Sequence, residues 1–293
     1  MKTITILMST YNGAQYISQQ LESIYNQKGL DEYVLNLFIR DDGSKDDTVD
    51  VIHSWDNRLS IDLIEGNNIG ARESFFFLLK NAPASDYYAF CDQDDYWHED
   101  KLCTAINHMS KEGVLYFSNI EYVDTKGNKI GKNLLANDFE LSLERILMCN
   151  PANGCAMVWD RQLHETITKI PEDTFTMHDE YVCTLAYLFG SVFYDSNSTM
   201  DYRIHESNVT QSDSIKKKYK LWKEIWFGRK QYSLDKRAKM LLHYKLKDED
   251  RKVLVALSEY KKGINRIILM RHYSCENPGI ERSFRLRMLI GVL

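Results

Sequence analysis

The 293-residue chain contains no apolar run that approaches the ~20 residues a membrane-crossing helix requires. Its first residues, MKTITILMSTYNG, carry one lysine and a short apolar run but no small-residue cleavage site. They read as a first β-strand rather than a signal peptide. No CxxC pair occurs. The six cysteines, Cys91, Cys103, Cys149, Cys155, Cys183 and Cys275, are scattered and mostly in apolar context. That is the pattern of reduced, buried thiols in a cytoplasmic protein, not of a disulfide framework or a zinc site. A glycine-rich GxxxxGK[ST] loop is missing as well, which removes the main part of a kinase or ATPase. Internal repeats and low-complexity tracts are absent.

What is present is enough for one large domain, or one domain with an appended module: 44% hydrophobic residues and an ordinary 27% charged. The charge is unevenly spread. Residues 214–293 carry 21 Lys and Arg against 8 Asp and Glu, whereas residues 1–213 carry 16 against 34, giving −5 in total. Two regions with different tasks are expected, 1–213 and a basic, helix-forming 214–293.

Within the first region the hydrophobic pattern alternates. ITILMST, YVLNLFIRDDGS, SIDLIEG and YYAFCDQDD read as strands. YISQQLESIYNQ, KDDTVDVIHSW and ESFFFLLKNA read as helices between them. Such a β-α-β-α-β-α-β order predicts a mostly parallel sheet covered by helices, with ligands bound beyond the carboxyl ends of the strands. Further on, GVLYFSNIEYVD and NGCAMVWD are strand-like, DEYVCTLAYLFG is an amphipathic helix and SVFYD a short strand.

Three polar clusters fall at the strand ends: Thr10-Tyr11-Asn12-Gly13, Asp41-Asp42-Gly43-Ser44 and Asp92-Gln93-Asp94-Asp95. Carboxylates this close repel one another at neutral pH. A helix N-cap or a solvated loop is the plain explanation. A divalent metal is the other, since Mg²⁺ and Mn²⁺ take carboxylate oxygens together with substrate phosphates.

The ordered set STYNG, RDDGSKDDT, NNIG, DQDDYW…DK, NGCAMVWDRQL, HDEYVCTLA and YRIHESN resembles family 2 glycosyltransferases, in particular the bacterial rhamnosyltransferase branch, over about residues 3–210. The resemblance implies a GT-A fold and a nucleoside-diphosphate sugar donor. It implies that Thr10, Tyr11 and Asn12 lie against the donor, that Asp42 meets the base and that Asp92 meets the ribose. Asp94 is then the aspartate for Mn²⁺ or Mg²⁺, with His205 as a further metal ligand, and Arg72 is the candidate phosphate contact, next to an unexpected Glu73. Asp179 is the implied general base that takes the proton from an acceptor hydroxyl, with inversion at the anomeric carbon. Glu180 is its rival, because adjacent acids at a helix start often only oppose the dipole. Arg203 either meets phosphate or braces its loop. Trp97 either holds a sugar face or packs in the core.

The branch points to dTDP-rhamnose as donor and to a surface glycan, lipid-linked, as acceptor; a UDP-sugar is the alternative. A nucleotidyltransferase would also use paired aspartates, but LMSTYNG is neither basic nor glycine-rich. The basic, tryptophan-containing segment 214–230 and the end of the chain, 281–293, suit an anionic membrane surface, or else pack an apolar stripe on the core. Nucleic acid is not expected as a partner, given the acidic first region. The location implied is cytoplasmic, or peripheral on the inner face of the cell membrane.

Overall fold

The computed structural model describes residues 1–109, 113–130, 135, 140–148, 150–205, 234–260 and 265. The segments 214–230 and 281–293, expected to be amphipathic, lie outside these residues. Among the described residues the elements run β1 (Lys2–Thr10), α1 (Ile17–Tyr25), β2 (Tyr33–Asp41), α2 (Thr48–His53), β3 (Ser60–Glu65), α3 (Ala71–Asn81), β4 (Tyr87–Asp92), β5 (Tyr96–Trp97), α4 (Lys101–His108) and β6 (Val114–Val123). They continue with α5 (Leu143–Met148), a 3₁₀ turn (Gly154–Ala156), β7 (Met157–Asp160), α6 (Arg161–Ile167), α7 (His178–Phe189), β8 (Ser191–Arg203), α8 (Leu234–Leu241) and α9 (Asp248–Ser258).

The chain forms two compact units. One takes Met1–Asp138, Ala152–Ile170 and Phe189–Ile204; the other takes Phe139–Pro151, Pro171–Leu188 and His205–Leu293. The first unit holds an eight-stranded sheet of order β3-β2-β1-β4-β7-β6-β8-β5. β3, β2, β1 and β4 are parallel neighbours, as are β6 and β8; β7 and β5 run against their neighbours. This is the mostly parallel α/β sheet that the alternation implies.

Period-two alternation sorts the central strands onto two faces. Ile4, Ile6 and Met8 of β1, Leu37 and Ile39 of β2, and Ala89 and Cys91 of β4 meet Ile17, Leu21 and Ile24 of α1, Ile52 of α2, and Leu102, Ala105 and Ile106 of α4. The 17, 21, 24 spacing is what puts one stripe of α1 on the sheet. On the other face Phe90 packs edge-on against Phe75 of α3 at 5.5 Å and against Trp159 of β7 at 4.6 Å. His164 of α6 stacks on Tyr88 at 3.9 Å, and burial pushes its imidazole down to about 4.

The structure settles one open reading and extends one expected strand. Trp97 is fully buried in the core cluster, so it has no face to offer a sugar. The strand expected at SVFYD is thirteen residues long: β8 pairs with β6 through register shifts near Asn119 and continues to Arg203. Its polar second half, SNSTMD, hid it. The register shifts there, with Ser118 opposite Asp195 and Asn119 opposite Ser198, and the alternation that marks a half-buried strand is broken.

In the second unit α7 buries Tyr181, Val182, Cys183, Leu185 and Ala186. The Phe175 ring meets Tyr181 edge-on at 5.1 Å. Arg237 of α8 is buried too, so this residue of the basic region points inward rather than to solvent.

Candidate active site

The parallel register brings the ends of β1, β2 and β4 level. Thr10 pairs with Asp41, and Ser9 pairs with both Arg40 and Asp92. The three polar clusters therefore share one sheet edge, and side-chain hydrogen bonds weave them together.

Asp41 is fully used. Its Oδ1 accepts from the Gly43 and Ser44 N–H groups at 3.0 and 2.7 Å. Its Oδ2 accepts from the hydroxyls of Thr10 at 2.9 Å and Ser44 at 2.5 Å. Four acceptor sites on a carboxylate are thereby filled, and the Thr10 hydroxyl is committed to holding the loop. Asp42 is buried as well. Oδ1 accepts from Arg40 Nη1 and from the Ile69 N–H, and Oδ2 from the Gly70 N–H. One acceptor site is left on Oδ2, enough for a single further donor such as an imide N–H.

Tyr11 is held by its backbone. Gln93 accepts from the Tyr11 N–H at 2.9 Å and donates to the Tyr11 carbonyl at 3.1 Å. The Tyr11 side chain itself is exposed. Asn12 has a positive φ of 48°, donates its N–H to Ser44 Oγ and accepts from the Lys45 N–H through Oδ1. Gly13 is required by the same clamp: a Cβ there would sit 2.1 Å from Gln93 Oε1. Arg72, in the first turn of α3, pairs with Glu73 and lies 4.6 Å over the Phe76 ring. A phosphate contact would have to compete with that ion pair.

Beyond β4, Asp92 and Asp94 are half-buried and Asp95 is fully buried. Asp95 Oδ1 accepts from the Arg203 N–H at 3.1 Å. Arg203 then donates from Nε to the Asp94 carbonyl at 2.9 Å, from Nη1 to the Thr125 carbonyl and from Nη2 to Gln19 Oε1. Of the two roles open to it, Arg203 takes the brace.

Ligand atoms of Asp92, Asp95 and Cys155 lie within 4.8 Å of one another. This trio suits a divalent cation poorly. Burial pushes the Cys155 thiol well up, so it stays protonated. The Lys101 amine is buried beside it, lowered by that burial to about 8, and finds no hydrogen-bond partner among the described residues. Burial, and then Asp94 and Asp92, push Asp95 itself well above the usual carboxylate range. Asp92 and Asp94, both half-buried, supply the other carboxylate oxygens of this turn. Carboxylate oxygens are the donor type that Mg²⁺ and Mn²⁺ take together with water and phosphate.

Asp179 and His205 belong to the second unit. Asp179 opens α7 and is half-buried. Burial pushes its carboxyl up to about 7, against hydrogen bonds from the Glu180 N–H and Asn150. Glu180 is engaged elsewhere. It accepts from the Thr176 N–H and hydroxyl and forms an ion pair with Arg237. The two adjacent acids thus differ in their partners: Glu180 is paired with a guanidinium, and Asp179 accepts from neutral donors.

A family model described as Glycosyl transferase family 2 matches residues 5–167, more than half of the chain. The chain belongs to glycosyl transferase family 2. This transferase is 31% identical over 232 residues to the dTDP-rhamnosyl transferase RfbG of Shigella flexneri, covering 73% of this chain and 77% of RfbG. It is 30% identical over 124 residues to the UDP-Glc:alpha-D-GlcNAc-diphosphoundecaprenol beta-1,3-glucosyltransferase WfaP of Escherichia coli, covering 42% of this chain and 48% of WfaP. Among solved structures, S. aureus TarS in complex with UDP-GlcNAc superposes with a TM-score of 0.62 at 16% identity, covering all of this chain and 82% of the other. That likeness establishes the GT-A fold of the transferase. No helix among its described residues is long and apolar enough to cross a membrane.

Arg40, Gln93 and Lys101 were not singled out by the sequence. Gln93 stands between two acids that draw attention from it, and Arg40 and Lys101 look like surface charges until the sheet buries them.

Proposed function

We propose that the enzyme transfers L-rhamnose from dTDP-L-rhamnose to a hydroxyl of a growing, lipid-linked surface glycan, inverting the anomeric centre. The observation that carries the donor reading is the identity to RfbG over most of both chains. In this reading the Tyr11–Asn12 loop lies against the nucleotide, Asp42 offers its remaining acceptor site to the base imide, and Asp92 meets the ribose. Arg72 is assigned to the diphosphate on the resemblance alone. Asp94, and His205 on the resemblance alone, would hold the cation. When bound, a divalent cation supplies positive charge to the diphosphate leaving group.

The chain's own chemistry is then a single displacement. Asp179 accepts the proton of the acceptor hydroxyl. The hydroxyl oxygen forms its bond to the anomeric carbon on the face opposite the diphosphate, and the bond to the diphosphate oxygen breaks. A carboxyl held near pH 7 is well matched to this task, since proton transfer is most effective when the base titrates near the working pH. A UDP-hexose is the second donor reading, favoured by the match to WfaP.

A thermal-shift panel of dTDP-L-rhamnose, UDP-glucose, UDP-GlcNAc and GDP-mannose, with and without Mn²⁺, tests the donor. Ligand at a hundred times its Kd adds about 2.7 kcal/mol of apparent stability. The largest shift is expected for dTDP-L-rhamnose with Mn²⁺. A larger shift with a UDP-sugar overturns the rhamnose assignment, and no shift with any sugar nucleotide overturns the donor site.

A further inference from the structure

The two acids that open α7 stand in different surroundings, and a residue 57 positions away makes the difference. Arg237 of α8 is buried, with 1% of its side chain exposed. Its Nη1 and Nη2 fork onto the two oxygens of Glu180. Its Nε and Nη2 donate to the Thr174 carbonyl at 3.1 and 2.8 Å. The guanidinium lies 4.5 Å over the Phe175 ring. Thr176 adds its N–H and hydroxyl to the same Glu180 carboxylate. Three residues before the helix and its third residue are thus tied to one planar fork.

We infer that Arg237 is a positioning residue for the transfer reaction: by locking Glu180 to the segment Thr174–Thr176, it fixes the first turn of α7 and leaves Asp179 as the proton-exchanging carboxyl of the pair. The inference rests on the proposed role of Asp179. Without the fork Glu180 would keep only its bonds from Thr176, and its charge beside Asp179 would be unpaired. Lysine cannot replace it. An ammonium is a point charge and cannot span a carbonyl and both oxygens of a carboxylate in a fixed plane. Arg237 and Asp179 both lie outside residues 5–167, the part matched by the family model.

The electrostatic surroundings of Asp179 within its unit are simple. Glu180 follows it, Asn150 is neutral, and burial holds the His178 imidazole neutral by bringing it down to about 3. The Cys183 thiol is pushed well up by burial and is also neutral. Among the described residues Glu180 is a charge that raises Asp179, and the Arg237 guanidinium pairs with Glu180. A like charge raises a carboxyl and an opposite charge lowers it. Glu180→Gln removes the like charge and frees Arg237, so Asp179 titrates lower. Arg237→Met removes the opposite charge, so Asp179 titrates higher. Arg237→Lys keeps the charge, so the midpoint stays while the orientation is lost.

The test is a ¹³C carboxyl titration of the full-length, aspartate-labelled enzyme, with the Asp179 signal assigned by difference from Asp179→Asn. In parallel, release of dTDP from dTDP-L-rhamnose with water as acceptor is followed against pH for the same variants. The expected result is a midpoint about one pH unit lower in Glu180→Gln and about one unit higher in Arg237→Met. Arg237→Lys should show an unmoved midpoint with at least a tenfold loss of turnover at every pH. Midpoints unmoved in both Glu180→Gln and Arg237→Met, or full turnover in Arg237→Lys, overturn the inference. Should Arg237→Met fail to fold, the direction of the Glu180→Gln shift decides. Asp179→Asn that still turns over dTDP-L-rhamnose overturns the assignment of the base instead, whatever the titration shows.

Discussion

Arg203 and Asp95, 108 residues apart, are joined at 3.1 Å by a backbone N–H and a buried carboxylate oxygen. The end of β8 is thereby fastened to the turn that presents Asp92 and Asp94. The Arg203 guanidinium doubles the link through the Asp94 carbonyl and lies 4.8 Å over the Tyr16 ring. The carboxylate turn is thereby held by two contacts from the end of β8.

Replacing Arg203 by Lys should loosen that turn without unfolding the sheet. At least two of the guanidinium's hydrogen bonds are lost, each worth about 1 kcal/mol net. Thermal denaturation should show a loss of about 2 kcal/mol. Isothermal titration with dTDP-L-rhamnose should show weaker donor binding while the Asp179-dependent pH midpoint stays where it is.

Asp94→Asn keeps the shape of the side chain and removes one charge from the proposed cation shell. Mn²⁺-dependent donor binding and turnover should fall at least a hundredfold, with the far-ultraviolet dichroism unchanged. Full activity of the variant at low Mn²⁺ would remove Asp94 from the metal assignment.

Gly13 and Gln93 should behave as one unit. A Cβ at Gly13 would displace the Gln93 amide that clamps Tyr11, so Gly13→Ala breaks the contact that Gln93→Ala deletes. Donor affinity measured in a double-mutant cycle should be strongly non-additive, the double variant binding about as well as the worse single one. Additive losses would mean that the clamp does not carry the effect.

Asp179→Asn should trade activity for stability. A carboxyl whose folded midpoint lies near 7, above its unfolded value near 4, holds more protons in the folded state between those limits. Stability from this group is therefore present below pH 4 and is lost as pH rises through 7. The Asn variant is spared that loss. Urea denaturation at pH 8 should find it more stable by about 1–4 kcal/mol, the lower part of the range reflecting the solvent contact the carboxyl keeps. The gap should close near pH 4.

The sheet was largely legible in the sequence because its central strands obey simple rules. ITILMST and YYAFCD are apolar on both faces, and their neighbours supply helices with one stripe each. The polar strand ends were legible for the same reason, since hydrophilic clusters follow apolar runs at Thr10, Asp41 and Asp92. The partners inside that edge were not. Nothing local says that Asp41 will spend all four acceptor sites on its own loop, or that Lys101 will be buried against Trp97 at 4.9 Å. These contacts depend on which segments the sheet brings level. The family resemblance alone prefers Asp179 to Glu180; the contact that distinguishes them, the Glu180–Arg237 ion pair, joins residues 57 positions apart and has no local signal.

The short strand β7 has a consequence for how the molecule is made. It lies between β4 and β6, pairing Tyr87 with Asp160 on one side and Leu115 with Trp159 on the other, although both flanking strands precede it in the chain. Asp160 then accepts from the Gly113 and Val114 N–H groups, sealing the start of β6. Before Met157–Asp160 is made, β4 lacks its β7 partner and β6 lacks both β7 and β8, leaving strand edges unpaired. Unpaired edges of this kind are open to pairing with other chains. Truncation between β6 and β7 should yield aggregate rather than a smaller folded domain.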